Sequence, residues 1–165
     1  MAERDKKLRE RQHNKKYRSM IRTFEDPILF QVCKPVDFTT DDLNWLVLKA
    51  VCEAFSNGVG LAAPQVGIAK RVVFIYNQRK NGYFMINPII VEKSNEMTEG
   101  IEGCLSYPGY EKVISRSTKI TVEYYNEKWE KITRQVDDYE ARIILHEYEH
   151  LDGISIWNNR EYSSI

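Results

Sequence analysis

Apolar positions along the chain repeat with two periods. From a cap at Thr39 or Thr40 to about Ser56, the residues Leu43, Leu46, Val47, Ala50, Val51 and Ala54 recur at helical spacing and predict a helix with one core-facing side. Asn57-Gly58 ends it. Strand-like runs follow over 71–76, 83–87 and 88–91, with Asn81-Gly82 as a hairpin-type turn signal before the second. Further strands are expected over 111–115, 119–125 and 129–136, the last two joined by Asn126-Glu127-Lys128. A second helix is expected over about 138–152, with Asp137 or Asp138 as N-cap and Gly153 as the C-terminal stop. Asp26-Pro27 reads as the entry to the domain, and Pro35 and Asp37 mark a loop. There is no internal repeat. Strands grouped between two helices give an α+β class with mainly antiparallel strands.

The second helix breaks its own apolar pattern. Ala141-Arg142-Ile143-Ile144-Leu145 is apolar enough for a buried segment, yet His146-Glu147-Tyr148-Glu149-His150 follows directly. Two imidazoles at i and i+4 share one helical face, about 5–6 Å apart at Cβ. Both rings can therefore reach one ion at about 2.0–2.1 Å. Glu147 sits to one side of that ion, where a carboxylate can take a proton from water. An H-E-x-x-H string also arises by chance in charged helices, but a core helix that carries such groups needs partners for them, because buried unpaired polar groups are costly.

Catalytic sites of the zinc type take three protein ligands and leave a position for water. The position where the long metalloprotease motif places a third His is Ile156, which cannot ligate, and the one downstream Glu is Glu161 in a polar tail. The third ligand is therefore expected upstream. Cys104, in Glu102-Gly103-Cys104-Leu105-Ser106, is the strongest candidate, the competing reading being a buried inert thiol. Cys33 and Cys52 lie among apolar residues without metal-type spacing and are expected to be inert.

Three segments, in order, resemble the signature motifs of the peptide deformylases: Gly58-Val59-Gly60-Leu61-Ala62-Ala63-Pro64-Gln65-Val66-Gly67, then Glu102-Gly103-Cys104-Leu105-Ser106, then His146-Glu147-Tyr148-Glu149-His150-Leu151-Asp152-Gly153. The ordered trio is far more specific than any one of its members, and the resemblance covers about residues 24–157. It departs in two places. Leu145 stands where the family has Gln, and Glu149 where it has Asp. Both are neighbours of ligands rather than ligands. The chain also ends soon after Gly153, where many members carry a further segment. Arg142 is charged where the family is often apolar, and the sequence offers no reason for it.

The resemblance implies sheets packed around a central helix bearing the motif histidines. It implies a metal-dependent hydrolase that removes the formyl group from N-formylmethionyl nascent peptides, using one divalent ion: Fe(II) natively, with Zn(II) or Ni(II) as substitutes. The implied ligands are Cys104, His146 and His150. The ion lowers the pKa of its water from 15.7 to about 7, and Glu147 acts as base, later giving the proton to the amine. Gln65 and the Leu105 N–H are the implied oxyanion donors. The backbone of Val59, Gly60 and Gly103 would hold an extended peptide, and Val59 and Ile143 would line the methionine pocket, although core packing also explains Ile143. A structural ion pair between Glu102 and Arg116 is expected near the site. The rival functions are a metallopeptidase of another type and a non-catalytic, deformylase-like module that binds ribosomes.

At 165 residues with 42% hydrophobic content, the chain supports one ordinary core. Its formal net charge is zero, which gives no overall argument for nucleic acid, but the charge is uneven. Residues 1–22 hold nine Lys and Arg against Glu3, Asp5 and Glu10. They are expected to form a basic arm, helical or disordered, ahead of a catalytic domain over 23–165. The arm is either simply solvated or an electrostatic contact to RNA, that of the ribosome. Three cysteines make no disulfide framework. No membrane span and no secretory signal is evident, so a cytoplasmic monomer is expected, an organellar location less so.

Overall fold

The computed structural model describes residues 2–41, 46–76 and 82–158. Its elements are α1 (Ala2–Arg18), α2 (Leu46–Glu53), β1 (Gly60–Ala62), β2 (Val72–Ile75), β3 (Tyr83–Lys93), β4 (Met97–Gly103), β5 (Glu111–Ser117), β6 (Lys119–Tyr125), β7 (Lys131–Asp137) and α3 (Asp138–Leu151). Among the described residues two antiparallel sheets form, one of five strands in the order β1-β2-β3-β6-β7 and one of two, β4-β5.

The sequence pattern explains which strands are covered on both faces. Every residue of β2 is buried. Val73 and Ile75 join Ala62, Met85 and the α3 residues Ala141, Ile144 and Leu145 in one core, while Val72 and Phe74 join Leu61, Phe84, Ile86 and the α2 residues Leu48, Val51 and Cys52 in the other. The registers Val73↔Met85 and Phe74↔Phe84 put like faces together. An unbroken apolar run is thus a strand with a helix on each side. β6 and β7 lie beyond α2, and there burial alternates, with Ile120, Val122, Tyr124 and Val136 turned inward. Each large aliphatic side chain so buried stabilises the fold by about 1.5–3 kcal/mol.

The structure refines several expectations. The 83–87 and 88–91 runs form one strand, irregular in register between Ile86 and Ile89. Asn87 adopts φ 51 there and clamps Val36 through hydrogen bonds of 2.7 and 3.0 Å. The described part of the first predicted helix is Leu46–Glu53, with Thr39 and Thr40 in a turn before it; Leu43, Asn81 and Glu161 lie outside the described residues. The glycine-rich motif is not simply a loop, because β1 and a 3-10 turn (Ala63–Val66) are built from it. β4 carries no strand signal in Met97-Thr98-Glu99-Gly100-Ile101-Glu102-Gly103, and its extended form comes from full pairing with β5. Residues 2–18 are helical, and the end of α1 is anchored by Arg18, whose Nε donates to the Ala54 carbonyl at 2.7 Å. None of the described helices is long and apolar enough to cross a membrane.

Candidate metal centre and catalytic cleft

α3 begins straight from β7, with Asp137 extended and acidic Asp138 and Glu140 in the first turn, where the helix dipole favours negative charge. It ends at Gly153, whose φ of +71° and closeness to the Phe30 carbonyl (a Cβ would lie 2.6 Å away) admit no side chain. Between these ends the 3.6-residue period sorts its side chains. Ala141, Ile144, Leu145 and Leu151 enter the sheet core. Arg142, His146 and Glu149 meet Glu102 and Arg116 of β4 and β5. Ile143 and Glu147 lie against Gly60.

Cys104 follows β4 immediately. Its Sγ is 3.3 Å from His150 Nε2, and the ligand atoms of Cys104, His146 and His150 all lie within 4.8 Å of one another. One sulfur and two nitrogens around a single tetrahedral ion, at about 2.3 and 2.0–2.1 Å from it, stand about 3.5 Å apart. The three side chains therefore form a group able to hold a metal ion. His146 is oriented from behind: its Nδ1 is 2.9 Å from Glu102 Oε2, which leaves Nε2 for the shared centre. The protein groups around the two rings act on them oppositely. Burial disfavours a charged His146, but contacts with Cys104 and Glu102 outweigh it and hold that ring well above the ordinary histidine range. Burial, with the positive charges of His146 and Arg116, pushes His150 well below it.

The two glutamates at the site differ as sharply. Glu102 is buried, which opposes its charge, yet hydrogen bonds from His146 and Arg116 hold it down at about 2. Its expected pair with Arg116 is made, at 2.6 and 2.8 Å, and Arg142 Nη1 adds a contact of 2.8 Å. Arg142 also donates to the Ile114 and Thr98 carbonyls, so the charge left unexplained by the sequence is a buried tie between α3 and both strands of the β4-β5 hairpin. Arg116 reaches on to Glu149 at 2.9 Å. Glu147 has no such company. Burial pushes it up to about 7, and its Oε2 is buried without a hydrogen-bond partner. A cation held beside it opposes that rise.

Gln65 is aimed by its own loop. Its Oε1 accepts from the Ala62 N–H at 2.9 Å, which turns Nε2 toward Ser106 Oγ (3.1 Å) and Cys104 Sγ (3.5 Å). Leu105 lines the same cleft of about 560 Å³, with Val59, Gly60, Gly103, Cys104, Ile143, His146 and Glu147. The ten side chains and backbone positions singled out in the sequence are thus brought together, nine of them on the cleft wall and His150 beneath it. Val59 is half-buried and its carbonyl accepts from Tyr76 N–H at 2.8 Å. With the register Gly60↔Ile75, antiparallel alternation turns the N–H and C=O of Gly60 to the open edge of β1, as it does the Ala62 N–H that Gln65 meets. Sequence reasoning missed Arg142 and Ser106 as parts of the site. For Arg142 the signal was available: a lone charge inside an apolar helical run.

Burial pushes the thiols of Cys33 and Cys52 up to about 11 and about 12, in keeping with inert core cysteines.

A family model described as polypeptide deformylase matches residues 19–163. A peptide deformylase of Natranaerobius thermophilus is 39% identical over 142 residues, spanning 86% of this chain and 91% of that protein. Among solved structures, a K1U-bound class I type b peptide deformylase from Acinetobacter baumannii is 34% identical with a TM-score of 0.78, covering 84% of this chain and 97% of that one. A Met-Ala-Ser-bound structure from the same organism is 36% identical with a TM-score of 0.72, covering 82% and 93%.

Proposed function

This chain belongs to the polypeptide deformylase family and is a peptide deformylase, and we propose that it removes the formyl group from N-formylmethionyl nascent peptides through a single site built on Cys104, His146, His150, Glu147, Gln65 and Leu105. The observation that carries the reading is the convergence of one sulfur and two ring nitrogens beside a buried carboxylate oxygen that has no partner. In this reading α3 is the central helix around which the sheets pack, and the motif it bears is the catalytic one.

Cys104, His146 and His150 would hold one divalent ion. Two imidazoles and a thiolate suit ferrous iron and zinc alike; we assign Fe(II) as the native ion, with Zn(II) or Ni(II) able to replace it. When bound, the ion supplies Lewis acidity that lowers the pKa of water. Glu147 takes the proton of the attacking water on its unpartnered oxygen and passes it to the departing amine. Gln65 Nε2, fixed through Ala62, and the Leu105 N–H hold the charge that develops on the formyl oxygen. Glu102 keeps the His146 ring in one orientation.

The substrate enters extended. The outward backbone of Gly60 on β1 and that of Gly103 at the end of β4 flank the same cleft, as strand addition to an open edge requires. Val59 and Ile143 receive the methionine side chain. The similar enzyme that binds Met-Ala-Ser supports a peptide of this kind, since Met-Ala-Ser is what remains of formyl-Met-Ala-Ser once formate has left. Main-chain contacts do not read side chains, so residues after methionine are broadly tolerated. We place the enzyme in the cytoplasm as a monomer, with α1 as its electrostatic contact to ribosomal RNA; salt-sensitive co-sedimentation with ribosomes, lost on deletion of residues 2–15, tests that part.

The central test is Glu147→Ala. It should keep its metal and lose formate release from formyl-Met-Ala-Ser; full activity in that variant would remove the assigned base. Cleavage of unformylated peptides at internal bonds would instead favour a metallopeptidase.

A further inference from the structure

We propose that Arg142 is a positioning residue: it docks the β4-β5 hairpin onto α3 and so keeps Cys104 within coordinating reach of His146 and His150. The inference rests on reading those three side chains as ligands. The difficulty it addresses is one of construction. Two ligands stand on α3, but the third follows β4, whose strand pairing is with β5 and not with the five-stranded sheet. Neither of its strands contributes a residue to the two hydrophobic clusters; Leu105, in the turn between them, packs against one. Its outer face is wet, with Ile101 71% and Val113 55% exposed. Apart from the buried Ile114, what it turns toward α3 is polar: Glu102, Arg116 and backbone carbonyls.

Arg142 uses the fork of its guanidinium on three targets at once. Nη1 donates to Glu102 Oε1 at 2.8 Å and to the Ile114 carbonyl at 2.9 Å; Nη2 donates to the Thr98 carbonyl at 2.7 Å. Thr98 is on β4 and Ile114 on β5, so one side chain of α3 grips both strands. The hairpin is shaped to receive it. Thr98, Gly100 and Glu102 alternate onto one face, and a Cβ on Gly100 would stand 3.0 Å from Arg142 Cζ and 3.2 Å from Nε. Glycine there lets the guanidinium lie flat on the ladder. The same guanidinium shares Glu102 with Arg116 and so bears on the carboxylate that orients His146. Lysine offers a point charge in place of a planar fork and cannot reproduce all three directions.

The test uses the full chain carrying Arg142→Met, Arg142→Lys or Gly100→Ala. Three quantities are read: amide hydrogen exchange across 97–117 in metal-free protein, Co(II) and Zn(II) affinity by chelator competition, and the split between kcat and KM on formyl-Met-Ala-Ser. Arg142→Met and Gly100→Ala should speed exchange in β4 and β5 while β6 and β7 stay protected. They should weaken metal binding by about 10–100-fold and lower kcat more than they raise KM. Arg142→Lys should fall between these and the parent. Unchanged metal affinity overturns the proposal, whether β4-β5 exchange is unaltered or faster, and so does a rise in KM alone, which would make Arg142 merely a wall of the cleft. Should Arg142→Met not fold, the lysine and Gly100 variants carry the same readings. Cys104→Ala separates the premise: if it binds metal as tightly as the parent, the ligand assignment has failed, whatever exchange shows at the hairpin.

Discussion

Gly60→Ala adds one methyl group and should nearly silence the enzyme. The new Cβ would stand 2.6 Å from Glu147 Oε1, 2.9 Å from Glu147 Cγ and 2.9 Å from Ile143 Cγ2. Gly60 is ordinary extended strand, so no backbone strain enters. To regain an ordinary contact of 3.4 Å the carboxylate oxygen must retreat by roughly 0.8 Å. Misplacement of a reacting group by about 1 Å costs on the order of 10²-fold in rate, equivalent to about 2.7 kcal/mol of barrier. The competing effect is on stability. Overpacking costs about 1–3 kcal/mol, partly offset by the lower conformational entropy of alanine, about 0.5–1 kcal/mol. Against a total stability of about 5–15 kcal/mol the variant remains folded. Activity, not folding, should therefore register the change.

The assay is formate release from formyl-Met-Ala-Ser by metal-loaded protein of verified metal content, with a double-mutant cycle against Glu147→Ala. If the methyl group acts through Glu147, kcat falls about 10²-fold in the parent, while Gly60→Ala adds little further loss once Glu147 is gone. A parent-background effect under twofold, or one that multiplies fully with Glu147→Ala, would refute the claim that Gly60 exists to seat the base.

Three other outcomes follow from the same geometry. Gln65→Ala should lower kcat by about 10²–10³-fold, or about 2.7–4 kcal/mol, because the donor and the anchor on Ala62 N–H are lost together; a change confined to KM would deny it the oxyanion. In metal-free protein Cys104 should react with a thiol reagent and be protected by added Zn(II), while Cys33 and Cys52, pushed up to about 11 and about 12, stay unlabelled; peptide mapping that finds Cys52 labelled as fast as Cys104 contradicts this. Glu102 is held below its ordinary 4.5, at about 2, so its contribution is complete above pH 4.5 and fades as pH falls toward 2. It amounts to about 3 kcal/mol, and the urea midpoint should drop across that window, with a visibly smaller drop in Glu102→Gln.

The sequence displays some of this molecule far better than the rest. The motif helix was legible almost to the residue, because a 3.6-residue period, acidic first turn and terminal Gly153 act locally. β6 was legible because Ile120, Val122 and Tyr124 alternate. β4 was not, since nothing in its glycines and glutamates favours a strand; its form is imposed by β5 and by arginines distant in sequence. Cys104, His146 and His150 could be singled out as candidate ligands from residue chemistry and motif order, and the structure brings their ligand atoms within 4.8 Å of one another. Their support could not: Arg142 reads as an anomaly until Thr98, Ile114 and Glu102 are placed around it. Ser106 likewise gains meaning only through Gln65.

In the proposed mechanism the same residue type does opposite work at two places in one site, and the sequence provides for this by choosing neighbours rather than side chains. Glu102 receives hydrogen bonds from Arg116, Arg142 and His146 on both oxygens. Every lone pair that matters is engaged, so it stays charged and fixed, suited to holding a ring and unsuited to moving a proton. Glu147 faces a glycine and Ile143, keeps one oxygen unpartnered, and is pushed up to about 7 by burial. A carboxylate whose proton affinity lies near neutrality can both accept and return a proton. Exchanging the environments would exchange the functions: arginines beside Glu147 would pin it as an anion, and an apolar wall beside Glu102 would protonate it and release His146. The two roles therefore depend on Gly60 and the arginine pair as much as on the glutamates themselves.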